Sequence, residues 1–190
     1  MRKKEGNKKK AIFEATLRLI TERGFHATPT SLIAKEAGIA TGTLYLYFKS
    51  KHDLLNKLYF EVKRHLAEGL TEGVSSDLTI QEGLQLVWRN MLNHFLSYPV
   101  EFAFIEQFEN SPLLDQATLE ASHDIFDQAY ALFTQAQARK VIKDISKDLM
   151  IVLFVSPMIY FAKQHVRRGT MPSEEMIATL YQGCWDAIKA

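Results

Sequence analysis

The spacing of apolar residues constrains this 190-residue chain more than any other feature. Wherever a window is long enough to judge, hydrophobic side chains recur every three or four positions, and none alternates convincingly with period two. Ile12, Phe13, Thr16, Leu17 and Ile20 fall on one helical face, Leu54, Leu55, Leu58 and Val62 on another, and Met176, Ile177, Leu180 and Cys184 on a third. Such stripes bury one side of each segment against a neighbour. The expectation is an all-α protein of about nine helices, with short N-terminal helices followed by a larger C-terminal helical bundle.

Punctuation residues divide the stripes. Gly24 stands where a left-handed C-cap is wanted, with Phe25 behind it to fold back on the first helix. Pro29 breaks the chain, and Thr30 is placed to cap a second short helix that ends at Gly38. A third helix is expected from about Thr41 to Phe48, and Ser50 is a natural N-cap for a longer fourth. Glycines 69 and 73 and the Ser-Ser-Asp run at 75–77 mark the main break. Beyond it, helices are expected at 79–97, 100–109, 115–138, 146–168 and 173–188, with Ser156-Pro157 kinking the next-to-last. This gives a helix-turn-helix domain at 1–50, a connecting helix at 51–75 and a helical ligand-binding and dimerisation domain at 76–190.

With 47% hydrophobic and 24% charged residues the chain reads as an ordinary globular protein. Its single cysteine, Cys184, excludes an internal disulfide framework and a cysteine-rich zinc site, and fits a reducing cytoplasm. No signal-peptide pattern follows the basic start. The most apolar run, residues 150–162, falls short of the roughly 20 residues that span a bilayer, so a buried helix and no membrane partner are expected. The net charge of +1 conceals an asymmetry: residues 1–66 carry a balance of +8 and the remainder −7. A basic third on an acidic body points to a polyanion for one end only.

Catalysis finds no support. No dinucleotide-binding, phosphate-loop, zinc-protease or nucleophile-elbow motif occurs. His94, His123 and His165 fall on different helices without ligand spacing, and Glu106 with Glu109 reads as a solvated face. No catalytic residue, metal or cofactor is therefore expected. A helical module that offers its basic end to a protein or an acidic lipid is the other alternative. Sequence-specific retention of promoter DNA in a gel-shift at graded salt separates these readings.

The stretch AGIATGTLYLYFKSKHDLL at 37–55 favours DNA. Two short helices around Gly38 match a helix-turn-helix, whose second helix presents its exposed face to a major groove. Leu44 and Phe48, four apart, join Ile33 and Ile39 on the buried side, so Tyr45 and Tyr47 point elsewhere. Thr41, Gly42 and Thr43 occupy the first turn, where backbone N–H groups and the helix dipole favour a phosphate. Lys49 and Lys51 follow.

Residues 8–62, above all the G-T-L-Y-x-Y-F-x-S-K-x-x-L-L pattern at 42–55, resemble the TetR family of bacterial transcriptional regulators. The resemblance implies that Thr30 holds a phosphate at the start of the second helix, with Ser31 facing the groove. It further implies that Thr41, Gly42, Thr43 and Tyr45 read bases or adjacent backbone, and that Tyr47 and Lys51 grip phosphates. Lys8, Lys9 and Lys10 add electrostatic affinity. Two places depart from the family's commonest pattern. Ala40 and Thr41 replace a hydroxyl cap and a lysine, moving the cap to Thr41. Leu46 takes a slot often polar or aromatic, where it can meet a thymine methyl.

From about residue 75 only helical character, length and position match, and the resemblance implies a mostly apolar effector cavity between bundle helices. Trp88, Met91, Phe95, Phe104, Phe108, His123, Phe126, Tyr130, Phe154 and Met158 are the ligand-binding candidates, with Arg89, His94, Gln107 and Gln164 as further polar ones. The last two helices are apolar enough to pair with a second copy. The implied protein is a cytoplasmic homodimer, a repressor released from a palindromic operator by a small, mostly apolar effector.

Overall fold

The computed structural model describes residues 2–190, with side chains from Gly6 onward, so the first five side chains of the lysine-rich start lie outside the described residues. Among the described residues there are helices and no strand. They are α1 (Arg2–Arg23), α2 (Thr30–Glu36), α3 (Thr41–Tyr47), α4 (Lys51–Leu70), α5 (Ile80–Ser97), α6 (Pro99–Glu109), α7 (Gln116–Asp124), α8 (Asp127–Ala138), α9 (Lys147–Arg168) and α10 (Glu174–Ile188). The all-α expectation holds. One expected helix, 115–138, is two, because the chain turns at Ile125 and Phe126 without a glycine or proline to announce it.

Two compact units divide the chain, one of residues 1–64 with 100–123 and the other of 65–99 with 124–190. The first is built on Ile12, Ile20, Ile33, Leu44, Phe48, Leu54, Leu58 and Tyr59, together with Phe104 and Phe108. Phe13 packs on Phe48 with ring centroids 5.4 Å apart, so α1 and the end of α3 share one hydrophobic contact. Arg18 of α1 pairs with Glu36 of α2. Gly38 closes α2: its φ of +67° suits a residue without Cβ. The N–H groups of Gly38 and Ile39 reach back to the carbonyls of Lys35 and Ala34 at 3.1 and 2.9 Å, a Schellman closure that sets up the turn into α3.

Two capping expectations are corrected. Pro29, not Thr30, is the N-cap of α2, and Ala40, not Thr41, is that of α3, and neither supplies a side-chain cap. Thr30 and Thr41 instead stand at the first helical position. Ser50 does cap α4, accepting from the Asp53 N–H at 3.0 Å.

In the second unit Trp88 is buried and its Nε1 donates to the Phe154 carbonyl at 3.0 Å. Gly83 lets α5 and α8 approach closely, since a Cβ there would stand 3.2 Å from Leu132. The break expected at Ser156-Pro157 takes the form of a π-helical turn at Ile151–Val155. Proline has no N–H to offer the preceding turn, and the wider turn absorbs that loss while Ser156 Oγ donates to the Ile151 carbonyl at 3.1 Å. The segment after α8 ends against the C-terminus through an isolated antiparallel bridge between Ile142 and Lys189.

Candidate nucleic-acid interface

The seven residues of α3 sort cleanly by exposure. Leu44 is fully buried, and Phe48 just beyond the helix is 1% exposed. Tyr45 is 50% and Leu46 83% exposed, Gly42 and the neighbouring Ser31 of α2 are exposed, and Thr41, Thr43 and Tyr47 are half-buried. One face is clamped into the core while the other stands in solvent, as a helix that reads a groove requires.

Two of the expected contact residues meet. The Thr30 and Tyr45 hydroxyls lie 3.0 Å apart, tying the first residue of α2 to the middle of α3. Tyr47 leans on Phe48 at 6.4 Å between ring centroids. Lys51 behaves differently from its neighbours. Its ammonium donates to the Phe25 carbonyl, stapling the start of α4 to the α1–α2 turn, and burial pushes its pKa down. Lys49, by contrast, is exposed, as are Lys8, Lys9 and Lys10 on α1. Leu46 is an exposed apolar side chain among these polar groups.

Residues 12–58 match the family model described as bacterial regulatory proteins, tetR family, and residues 80–189 match that of the tetracyclin repressor-like C-terminal domain. The chain belongs to the TetR family. It is therefore a DNA-binding transcriptional regulator, and its relatives are regulators rather than enzymes. Over 116 residues, 60% of this chain and 56% of the relative, it is 37% identical to a fatty acid metabolism regulator protein of Bacillus subtilis, so that match spans little more than half of the relative's length. An uncharacterized HTH-type transcriptional regulator of Haemophilus influenzae is 25% identical over the full length of both chains. Its fold is also that of a TetR family transcription regulator from Marinobacter aquaeolei, with a TM-score of 0.91, 24% identity and coverage of 100% and 99% of the two chains.

The effector candidates do not gather in one place. Phe104 and Phe108 are fully buried in the core of the first unit, stacked on each other at 5.4 Å, with Phe108 also 5.5 Å from Tyr59. His123 is exposed at the end of α7. The rest lie in the second unit of this TetR-family chain. Trp88, Phe95, Phe154 and Met158 are buried, whereas Met91, Phe126 and Tyr130 are half-buried. Of the further polar candidates, Arg89 pairs with Glu174. Cys184 is buried, and burial raises its thiol pKa, which keeps it from the reactive thiolate form.

A cavity of about 150 Å³ opens between α8 and α9, lined by Tyr130, Phe133, Ile142, Ile145, Lys147 and Met150 among others. The Lys147 ammonium sits 3.6 Å from the Tyr130 ring centroid. Beside the buried Trp88 and Phe154 rings, the Tyr181 hydroxyl is buried with no hydrogen-bond partner, and burial raises its pKa to about 12. Sequence reasoning missed the placement of Tyr181 beside Trp88 and of Lys147 over Tyr130. Only their placement in space gives them neighbours, and no local pattern signals it.

Proposed function

We propose that this TetR-family regulator is a cytoplasmic homodimeric repressor that reads a near-palindromic operator with α3 and lets go when a small, mostly apolar effector enters the second unit. The observation that carries the reading is the division of α3. Leu44 and Phe48 are buried, while Thr41, Gly42, Thr43, Tyr45 and Leu46 lie on or near the open face beside Thr30 and Ser31. Thr41, Gly42, Thr43 and Tyr45 read the site, Thr30, Tyr47 and Lys51 hold its backbone, and α1 lysines add long-range attraction.

Dimerisation is supported by what α9 and α10 leave uncovered. Val152, Tyr160 and Met176 are 58%, 66% and 47% exposed. The 22-residue helix α9 is long and apolar enough, by length and composition, to cross a membrane, and only 28% of its most apolar window is buried within the chain. A second copy covering that face accounts for its apolarity and supplies the second reading head. Two heads are required because half-sites lie about one helical turn, roughly 34–36 Å, apart.

The effector reading rests on the aromatic interior of the second unit. The cavity of about 150 Å³ is smaller than the roughly 300 Å³ at which small-molecule sites begin, so an effector must widen it. The Bacillus subtilis relative is named for fatty acid metabolism, which supports an acyl-chain compound as effector. The test is a gel-shift with the DNA flanking the regulator's own gene, at graded salt and with saturated fatty acids added. Specific, salt-sensitive binding that the effector abolishes is expected, and no binding at any salt would overturn the reading.

A further inference from the structure

The end of α4 and the C-terminal half of α5 face each other across a groove of about 460 Å³, lined by His65, Glu68, Gly69 and Glu72 on one side and by Asn90, Asn93, His94, Ser97 and Tyr98 on the other. On both sides the spacing is i, i+3, i+4, i+7, so each row is one helical face extended by a turn. Two imidazoles sit at its centre. The His65 and His94 ring centroids are 4.8 Å apart and perpendicular, and each offers a ring nitrogen within 4.8 Å of the other's. Tyr98 packs against both rings, at 4.6 and 4.7 Å, and limits their rotation. Asn90 ties the two sides together, its Nδ2 donating to the carbonyls of Leu70 and Glu72, both at 3.0 Å. Gly69 puts no side chain into it.

We infer that this groove binds a divalent first-row transition ion of the zinc class, with His65 and His94 as nitrogen ligands. Imidazole is the side chain that such ions favour, and two histidines leave positions open for water or a further donor. A metal–nitrogen bond of about 2.0–2.1 Å in tetrahedral geometry sets two ligand nitrogens about 3.4 Å apart. Ring nitrogens already within 4.8 Å of each other stand close to that distance. The groove is distinct from the aromatic interior assigned to the effector, and its ligand is of a different class.

The experiment uses the full, tag-free chain, stripped with a chelator and titrated with Co²⁺ while visible d–d absorption is followed, then with Zn²⁺ in competition. One equivalent per chain, with ligand-field bands that Zn²⁺ removes, is expected. His65→Gln and His94→Gln should each weaken binding by more than about tenfold, while circular dichroism in chelator reports whether they fold. His123→Gln, exposed on α7, should leave the bands unchanged. Absence of ligand-field bands in the unaltered protein, or bands of undiminished affinity in the folded His65 and His94 variants, overturns the assignment.

Discussion

The Thr30 Oγ1 and the Tyr45 hydroxyl lie 3.0 Å apart and join the first residue of α2 to the exposed face of α3. The bond fixes the direction of a half-exposed ring before DNA arrives, so the cost of ordering that ring is met in the free protein. It also occupies the hydroxyl that a phosphate at the start of α2 would share.

If the pair acts as a unit, its two halves are not independent. Tyr45→Phe and Thr30→Val should each weaken operator binding by about 1 kcal/mol, roughly fivefold in Kd, the worth of one hydrogen bond. The double variant should lose little more than either single one. Fluorescence anisotropy with labelled operator measures all four proteins. Fully additive losses would show that the two hydroxyls contact DNA separately.

Lys51 has two candidate duties, and they separate experimentally. Its ammonium donates to the Phe25 carbonyl, so Lys51→Met keeps the stem but leaves that carbonyl without the bond. A loss of about 1 kcal/mol should lower Tm by roughly 2–4 °C for a chain of this size. If the same charge also holds a phosphate, the slope of log K against log salt falls by about one, equally for all sequences. An unchanged slope with a lowered Tm would leave Lys51 a staple and nothing more.

Leu44 and Leu46 are two residues apart and should respond oppositely. Leu44 is fully buried, and Leu44→Ala opens a cavity costing about 2–5 kcal/mol. Leu46 is 83% exposed, so Leu46→Ala should leave urea denaturation unchanged while shifting base preference at one operator position. Selection from a randomised operator library reads the shift. An identical consensus for both proteins would remove Leu46 from the reading face.

These contrasts show which parts were legible in the sequence. The burial of Leu44 and Phe48 follows from their four-residue spacing, and the ends of α1 and α2 from Gly24 and Gly38, because helical period and glycine conformation are local properties. Networks that close over long separations leave no such mark. Asn56, only 5% exposed, donates to the carbonyls of His52 and Leu113 at 3.0 and 2.9 Å and accepts from the Asp115 N–H at 2.9 Å, tying α4 to the loop before α7. In sequence it is one asparagine among leucines. The hydroxyls of Thr30 and Thr41 were misplaced by one helical position, since the chain enters both helices from extended Pro29 and Ala40. Phe104 and Phe108 resembled pocket residues by composition alone, and only the packing of α6 shows them filling the first unit's core.

The start of α4 predicts a pH dependence. Ser50 Oγ accepts from the Asp53 N–H at 3.0 Å, and the Asp53 carboxylate accepts from the Lys49 N–H at 2.8 Å and the Lys57 ammonium at 2.9 Å. Partial burial alone raises the Asp53 pKa, but the bonds from Lys57 and Lys49 outweigh it and hold the carboxyl below its usual value. A carboxyl depressed in the folded state stabilises the fold above its unfolded pKa of about 3.9, and that contribution is lost as pH falls through the folded value. Asp53→Asn should therefore lower Tm at pH 6 and converge with the unaltered protein below about pH 4. Thermal melts across that range measure it, and a difference independent of pH would assign the effect to shape rather than charge.

The uncovered face of α9 and α10 makes the last prediction. Val152 and Tyr160 are 58% and 66% exposed, so charging them disturbs little within one chain. Between two copies of that face, the same carboxylates would be buried without partners, at a cost of several kcal/mol. Val152→Glu with Tyr160→Glu should therefore give a folded monomer by analytical ultracentrifugation, with the helical circular dichroism of the unaltered chain. The monomer has one reading head instead of two, so operator affinity should fall far more than through any single contact residue, while weak salt-dependent binding to any DNA persists. A dimer that survives both charges would place the interface on another face.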